Sequence, residues 1–192
     1  MTDWKNLQYL QAGTARQRRA YDVLQQSGLW PLLREFDPVL VGTIPLGIDT
    51  ATSDLDVLCE VPPSAQPGFA QLLRAHFGAW PGFRLAQRAI GGYPTTVSSF
   101  RFQTEELELF GQALPTAQQQ GFRHLLIEHA VLEAGGQAWR IAVRALKQQG
   151  LKTEPAFAKL LHLPGDPYEA LLALEGKTAA GLRHQLPPLP AA

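Results

Sequence analysis

The stretch Gly42-Thr43-Ile44-Pro45-Leu46-Gly47-Ile48-Asp49-Thr50-Ala51-Thr52-Ser53-Asp54-Leu55-Asp56-Val57 decides the fold of this chain. Successive side chains of a strand point to opposite faces. Asp54 and Asp56 therefore project together, while Leu55 and Val57 turn toward apolar packing. Two carboxylates held side by side repel unless a cation sits between them. Hard divalent ions such as Mg2+ take oxygen ligands of this kind and keep positions open for phosphate oxygens. A glycine turn just upstream, at Gly42, lets backbone come close to a phosphate. The stretch reads as a metal–nucleotide site.

A third carboxylate on a neighbouring strand commonly completes such a set. Glu108 lies between Leu107 and Leu109 in an apolar–acid–apolar pattern, which turns its side chain away from the core. Glu106 shares that face nearer the turn and ranks second.

Outward from this motif, the first part of the chain is mixed. Residues 3–33 are helical in pattern, with breaks near Gly13-Thr14 and Gly28. Pro38–Val41 reads as a short buried strand, Asp54–Val61 as a second, and Pro67–Phe77 as a helix with Phe69, Leu72, Leu73 and Phe77 on one face. Phe83–Ile90 reads as a strand ended by Gly91-Gly92, followed by an alternating strand from Thr95 and another from Leu107. Beyond Pro115 only helical periodicities occur. Phe122, Leu125, Leu126, His129 and Leu132 form one stripe, and Ile141, Ala145 and Leu146 mark another. Thr153 reads as the N-cap of a helix with Pro155 in its first turn. The expected organisation is an α/β core over residues 1–112, a helical lobe over 113–185 and a disordered tail over 186–192.

Composition bounds the function. The chain has 192 residues, 45% of them hydrophobic, with 17 basic and 17 acidic side chains and no net charge. That balance argues against a broad basic nucleic-acid surface. Arg16, Arg18 and Arg19 cluster, and read as a solvated helix face. The lone Cys59 excludes an intramolecular disulfide and reads as a small buried hydrophobe. No run of about 18 apolar residues occurs, and the first residues lack a signal core, so a cytoplasmic, bacterial-type protein with no membrane partner is the expectation. His124, Glu128 and His129 lack zinc-motif spacing, and Arg123 and His124 read as helix surface or cleft border. Gln112, Gln118, Gln119 and Gln120 concentrate where the mixed and helical parts join, a place from which a base edge could be read.

The Gly42–Gly47 turn followed by Ser53-Asp54-Leu55-Asp56-Val57 resembles the signature of the nucleotidyltransferase-fold superfamily, including its minimal and antibiotic-modifying members. Glu108-Leu109-Phe110-Gly111-Gln112, Arg123-His124 through Glu128, Leu146 through Ala158, and Gly165-Asp166-Pro167-Tyr168 resemble a bacterial family of domains of unknown function within it. The resemblance implies a polymerase beta-like fold: a short mixed β-sheet, flanking helices and a C-terminal helical lobe. It also implies an enzyme that moves a nucleoside monophosphate from a nucleoside triphosphate, such as ATP, to a hydroxyl of a small molecule, a protein or an RNA end. In that picture Asp54, Asp56 and Glu108 hold Mg2+ (or Mn2+), and Glu108 takes the hydroxyl proton. Gly42, Thr43 and Ser53 meet the triphosphate, as do Lys147 and Lys152. The chain departs from the pattern with Thr43 for the usual serine or glycine, apolar Ile44 and Leu46 in the turn, and Pro45, which removes one amide. Two other functions fit the same fold: a non-catalytic nucleotide or metal regulator, and an interaction protein of a toxin–antitoxin or defence pair.

Overall fold

The structure, a computed structural model, describes residues 2–189. It contains two compact units: the chain up to Pro45 together with Asp54–Phe122, and Leu46–Ser53 together with the residues from Arg123 onward. Pro190, Ala191 and Ala192 of the expected tail lie outside the described residues; Leu186–Leu189 carry no helix or strand.

The first unit is built on a five-stranded mixed sheet. Its strands are β1 (Val39–Val41), β2 (Leu55–Glu60), β3 (Arg84–Ile90), β4 (Tyr93–Phe102) and β5 (Glu105–Gln112), in the order β1-β2-β5-β4-β3. β2 and β5 are parallel, and the other neighbours are antiparallel. A parallel pair needs a crossover, and everything from Pro62 to Thr104 provides it. Within that crossover, Gly91 and Gly92 take positive φ (59° and 83°) and close the β3–β4 hairpin. β2 starts at Leu55, so Asp54 stands just before the strand rather than inside it.

One sheet face carries the core. Leu55, Val57, Cys59, Leu107, Leu109 and Phe100 are buried there against Phe69, Leu73 and Phe77 of α4 (Gln66–Phe77) and against Leu24 of α1 (Ala15–Gln26). The approach of α4 is close: a Cβ on Gly111 would meet the Phe69 ring at 2.4 Å. Gln66 opens α4 and donates from one buried amide to Val61 O (2.8 Å) and Gly111 O (2.9 Å), while accepting from the Thr96 hydroxyl (2.6 Å). These bonds satisfy carbonyls at the sheet end that water cannot reach. Cys59 is fully buried as expected, and burial drives its thiol pKa far up, which keeps it inert.

The arginines near the start are not all solvated. Glu105 shares the core-facing side of β5 and is 1% exposed. Arg16 reaches it at 2.7 Å, with Arg19 farther away at 3.8 Å. A buried carboxylate requires such a partner, so Arg16 serves the core, while Arg18 and Arg19 keep exposed side chains.

The second unit is helical: most of α5 (Gln120–Gln148), then α6 (Thr153–Leu160), α7 (Pro167–Leu172) and α8 (Ala179–Arg183). Gly136, with φ 65° and ψ −153°, breaks α5 between the two apolar stripes. The second stripe is displaced from its expected place. Ile141 is 59% exposed, and Trp139 and Val143 are the buried residues, because the break resets the helical phase. Thr153 is the first helical residue rather than the cap. Lys152 occupies the cap position, and the Thr153 hydroxyl accepts from Lys147 Nζ at 2.9 Å. No helix among the described residues is long and apolar enough to cross a membrane.

Candidate functional site

Asp54 and Asp56 reach the sheet surface through the alternation that buries Leu55 and Val57. β5 lies beside β2 in parallel register, with Asp56 opposite Glu108 and Leu55 opposite Leu107. Each of the three acids offers a carboxylate oxygen, and these oxygens all lie within 4.8 Å of one another. All three residues are half-buried. Glu106 sits one turn of the pleat away and is engaged by Arg101 at 3.2 Å.

The electrostatics of the group are those of a site that attracts a cation. Glu108 has its pKa raised, first by burial and then by the neighbouring Asp54 carboxylate, with Arg88 partly offsetting and Glu106 adding to the rise. Three oxygen donors on one open sheet face suit a hard divalent ion, which leaves further coordination positions to solvent or phosphate. The donor set therefore fits Mg2+ or Mn2+.

The turn before β2 is shaped for close approach. Gly42 has φ 79°, and a Cβ there would meet Asp56 Oδ2 at 2.7 Å. Only glycine combines that backbone conformation with that clearance. Thr43, buried, opens the short helix α3 (Thr43–Leu46) directly after it. Gln17 holds this turn from the core side, donating to Ile44 O (3.0 Å) and Pro45 O (2.9 Å). Gln17 is itself fixed by a capping box with Thr14. Nothing in the sequence around the acids marks Gln17. The capping-box spacing Thr14-x-x-Gln17 signals a helix start, and its second use appears only in three dimensions.

The structure brings Gly42, Asp54, Asp56 and Glu108 together within the first unit. Ser53 precedes Asp54 and belongs to the second unit, where its hydroxyl accepts from the Thr50 amide at 2.9 Å. Lys147 and Lys152 also belong to the second unit, Lys147 bonded to Thr153 and Lys152 exposed. His124, expected at a surface or cleft border, is 4% exposed, with Nε2 3.0 Å from Tyr168 O and Nδ1 3.7 Å from Glu154. Arg123 pairs with Glu175 at 2.6 Å. Two of the glutamines are occupied by backbone: Gln119 donates to Cys59 O and Leu114 O, and Gln112 to Ile90 O.

A family model for a domain of unknown function, DUF4269, matches residues 22–174. The chain belongs to the DUF4269 family. No curated protein matches this DUF4269 chain. Among solved structures it is similar to the Cid1 poly(U) polymerase with MgGTP bound, at 14% identity and a TM-score of 0.50 over 81% of this chain and 47% of that one. A second Cid1 poly(U) polymerase structure matches at 14% identity and a TM-score of 0.51, covering 78% and 48% of the two chains. The polymerase core of TRAMP, a RNA surveillance complex, matches at 10% identity and 0.50, covering 83% and 49%. The DUF4269 chain thus spans about half the length of the structures it matches. At these identities the likeness is one of fold. The fold is the mixed α/β nucleotidyltransferase (polymerase beta-like) fold.

Proposed function

We propose that this chain is a nucleotidyltransferase that moves a nucleoside monophosphate from a nucleoside triphosphate to a hydroxyl acceptor. The observation that carries the reading is the convergence of Asp54, Asp56 and Glu108 oxygens within 4.8 Å on the sheet of a nucleotidyltransferase fold. Like charges at that separation destabilise a protein that does not use them. Asp54, Asp56 and Glu108 would hold the divalent ion, which when bound supplies charge stabilisation to the triphosphate as pyrophosphate departs. The chemistry falls to residues 1–112, with the helical residues 113–185 as a second lobe.

The chain's own residues account for the rest. The Gly42 turn would offer backbone N–H groups to the triphosphate, and the sequence resemblance gives the Thr43 hydroxyl the same role. Gln17 keeps that turn from collapsing by holding the Ile44 and Pro45 carbonyls. Glu108 carries a raised pKa and is the acid suited to accept the proton of the attacking hydroxyl. In the balanced step the acceptor oxygen bonds the α-phosphorus, the α–β anhydride bond breaks, pyrophosphate leaves, and the hydroxyl proton passes to Glu108. Nucleotide-binding roles for Ser53, Lys147 and Lys152 rest on the sequence resemblance alone.

The test has two arms. Titration of Mn2+ followed by electron paramagnetic resonance reads metal binding, and release of pyrophosphate from each nucleoside triphosphate reads turnover across an acceptor panel. The wild type binds Mn2+ and releases pyrophosphate, whereas Asp56→Asn loses both with its circular dichroism unchanged. Mn2+ binding with no turnover on any acceptor would turn the reading to a regulator. Absence of Mn2+ binding would overturn it.

A further inference from the structure

The chain is neutral overall, yet its charges are not evenly spread. Between Glu60 and Glu105 there is no acidic residue, and there are four arginines: Arg74, Arg84, Arg88 and Arg101. That segment forms α4, β3 and β4, and β3 is the edge strand next to β4.

Register places part of this charge beside the acids. Asp56 faces Glu108, Glu108 faces Ser99, and Ser99 faces Arg84, so the four make one row across β2, β5, β4 and β3. Directly opposed residues in a sheet share a face. Two residues on along the same side of β3 comes Ala86, and two more brings Arg88, whose charge is felt at Glu108. Tyr93, beyond the Gly91-Gly92 turn, lies on that face of β4 and is 43% exposed. Arg84, Ala86 and Arg88 are all exposed, and among the described residues neither Arg84 nor Arg88 forms an ion pair. Ala86, small and exposed, lies between Arg84 and Arg88 on that side of the strand.

We propose that this face of the β3–β4 hairpin holds the sugar–phosphate backbone of a single-stranded polynucleotide whose 3′ hydroxyl is the acceptor at the acid site. The inference rests on the nucleotidyl-transfer reading and names its acceptor class. Tyr93 is about 20 Å along β4 from Ser99 at the usual strand rise, too far for one small acceptor to meet both the acids and the ring. A strand of several nucleotides spans it. Phosphates meet Arg84 and Arg88 in turn, and a base stacks on Tyr93, the combination of cationic track and aromatic platform that single strands use. The 3′ oxygen then makes the bond to the α-phosphorus and yields its proton to Glu108, as pyrophosphate leaves.

Fluorescence anisotropy with the full chain in EDTA, using an end-labelled oligoribonucleotide of about 15 nucleotides, tests binding apart from chemistry. The wild type binds, with log affinity falling linearly in log salt. In the Arg84→Ala/Arg88→Ala variant the slope drops by about 1.4, from about 0.7 per phosphate contact on single strands, and affinity falls at least about tenfold. Tyr93→Ala costs about tenfold without changing the slope, since stacking carries no counterion term. Arg74→Ala, on α4 and away from this face, leaves the slope unchanged. No binding by the wild type, or an equal loss in Arg74→Ala, overturns the inference. Failure of Asp56→Asn to lose pyrophosphate release, with the binding pattern intact, would instead sink the catalytic reading on which it rests.

Discussion

Asp56 and Glu108 are register partners on adjacent parallel strands, so the sheet itself holds two like charges side by side. Neighbouring strands are about 4.8 Å apart, and neither side chain can turn to the core without displacing Val57 or Leu109. The repulsion is built into the backbone hydrogen bonding, and its consequences are measurable.

In the metal-free protein the raised pKa of Glu108, caused by burial and then by Asp54, means the folded state holds its proton to higher pH than the unfolded chain. Stability from this group is therefore greatest at low pH and is lost as pH rises above the ordinary glutamate value of 4.5 through the raised one. Glu108→Gln removes that loss, so the variant melts above wild type at neutral pH, and the gap closes below the ordinary range. Added Mn2+ reverses the order, because only wild type gains from the ion. Thermal melts over a pH series, with and without Mn2+, read both effects.

Gly42→Ala puts a methyl group 2.7 Å from Asp56 Oδ2 at a φ of 79°. The left-handed conformation alone costs roughly 1–2 kcal/mol, and the displaced carboxylate weakens Mn2+ binding. Urea denaturation together with the Mn2+ titration checks this. Gly28→Ala, also at positive φ but with nothing near its added Cβ, pays the backbone cost and keeps the metal.

Glu105 is a core-facing carboxylate that depends on Arg16. Arg16→Ala leaves the charge buried without its closest partner, at a cost of about 3–5 kcal/mol. Replacing both residues by apolar ones of similar volume, Arg16→Met with Glu105→Leu, recovers most of that loss. Denaturant midpoints of the three proteins decide it.

Glu128 is 3% exposed in the helical unit, and its Oε1 has no hydrogen-bond partner. Burial, and then the Glu154 charge, raise its pKa well above 4.5, with Lys147 partly offsetting. The folded state thus carries this carboxyl protonated further up the pH scale than the unfolded chain does. Stability falls as pH rises from the ordinary glutamate value toward the raised one. Glu128→Gln flattens that dependence, as chemical denaturation across pH should display.

Much of the geometry could be read from local pattern. Alternation at Asp54–Val57 and at Leu107–Leu109 put acids on one side and apolar residues on the other, because strand periodicity is a local property. The helical stripe before Gly135-Gly136 was legible only in part: Leu125 and Leu132 are buried, whereas Leu126 is exposed and His124, Ile127, Glu128 and Val131 complete the buried face. Ile141 was not legible: the break at Gly136 rotates everything after it, and two adjacent glycines do not announce the angle. The Arg16–Glu105 pair also escaped the sequence, since a basic residue on an early helix and an acid at a strand start look solvated until the fold buries one. Gln17 and Gln119 were invisible as supports, because a side-chain amide bonds whichever carbonyl the chain brings past it.

The primary structure alone set the chemistry available: which residues are acids, which glycine can take a left-handed turn, and which side of each strand is apolar. It also concealed a cationic segment inside a neutral total. Tertiary structure decided adjacency. The parallel pairing of β2 with β5, separated by the whole crossover, brought Glu108 opposite Asp56 and set Arg84 in the same row. Strand order depends on long-range packing of α4 and the crossover against the core face, and no local period encodes it.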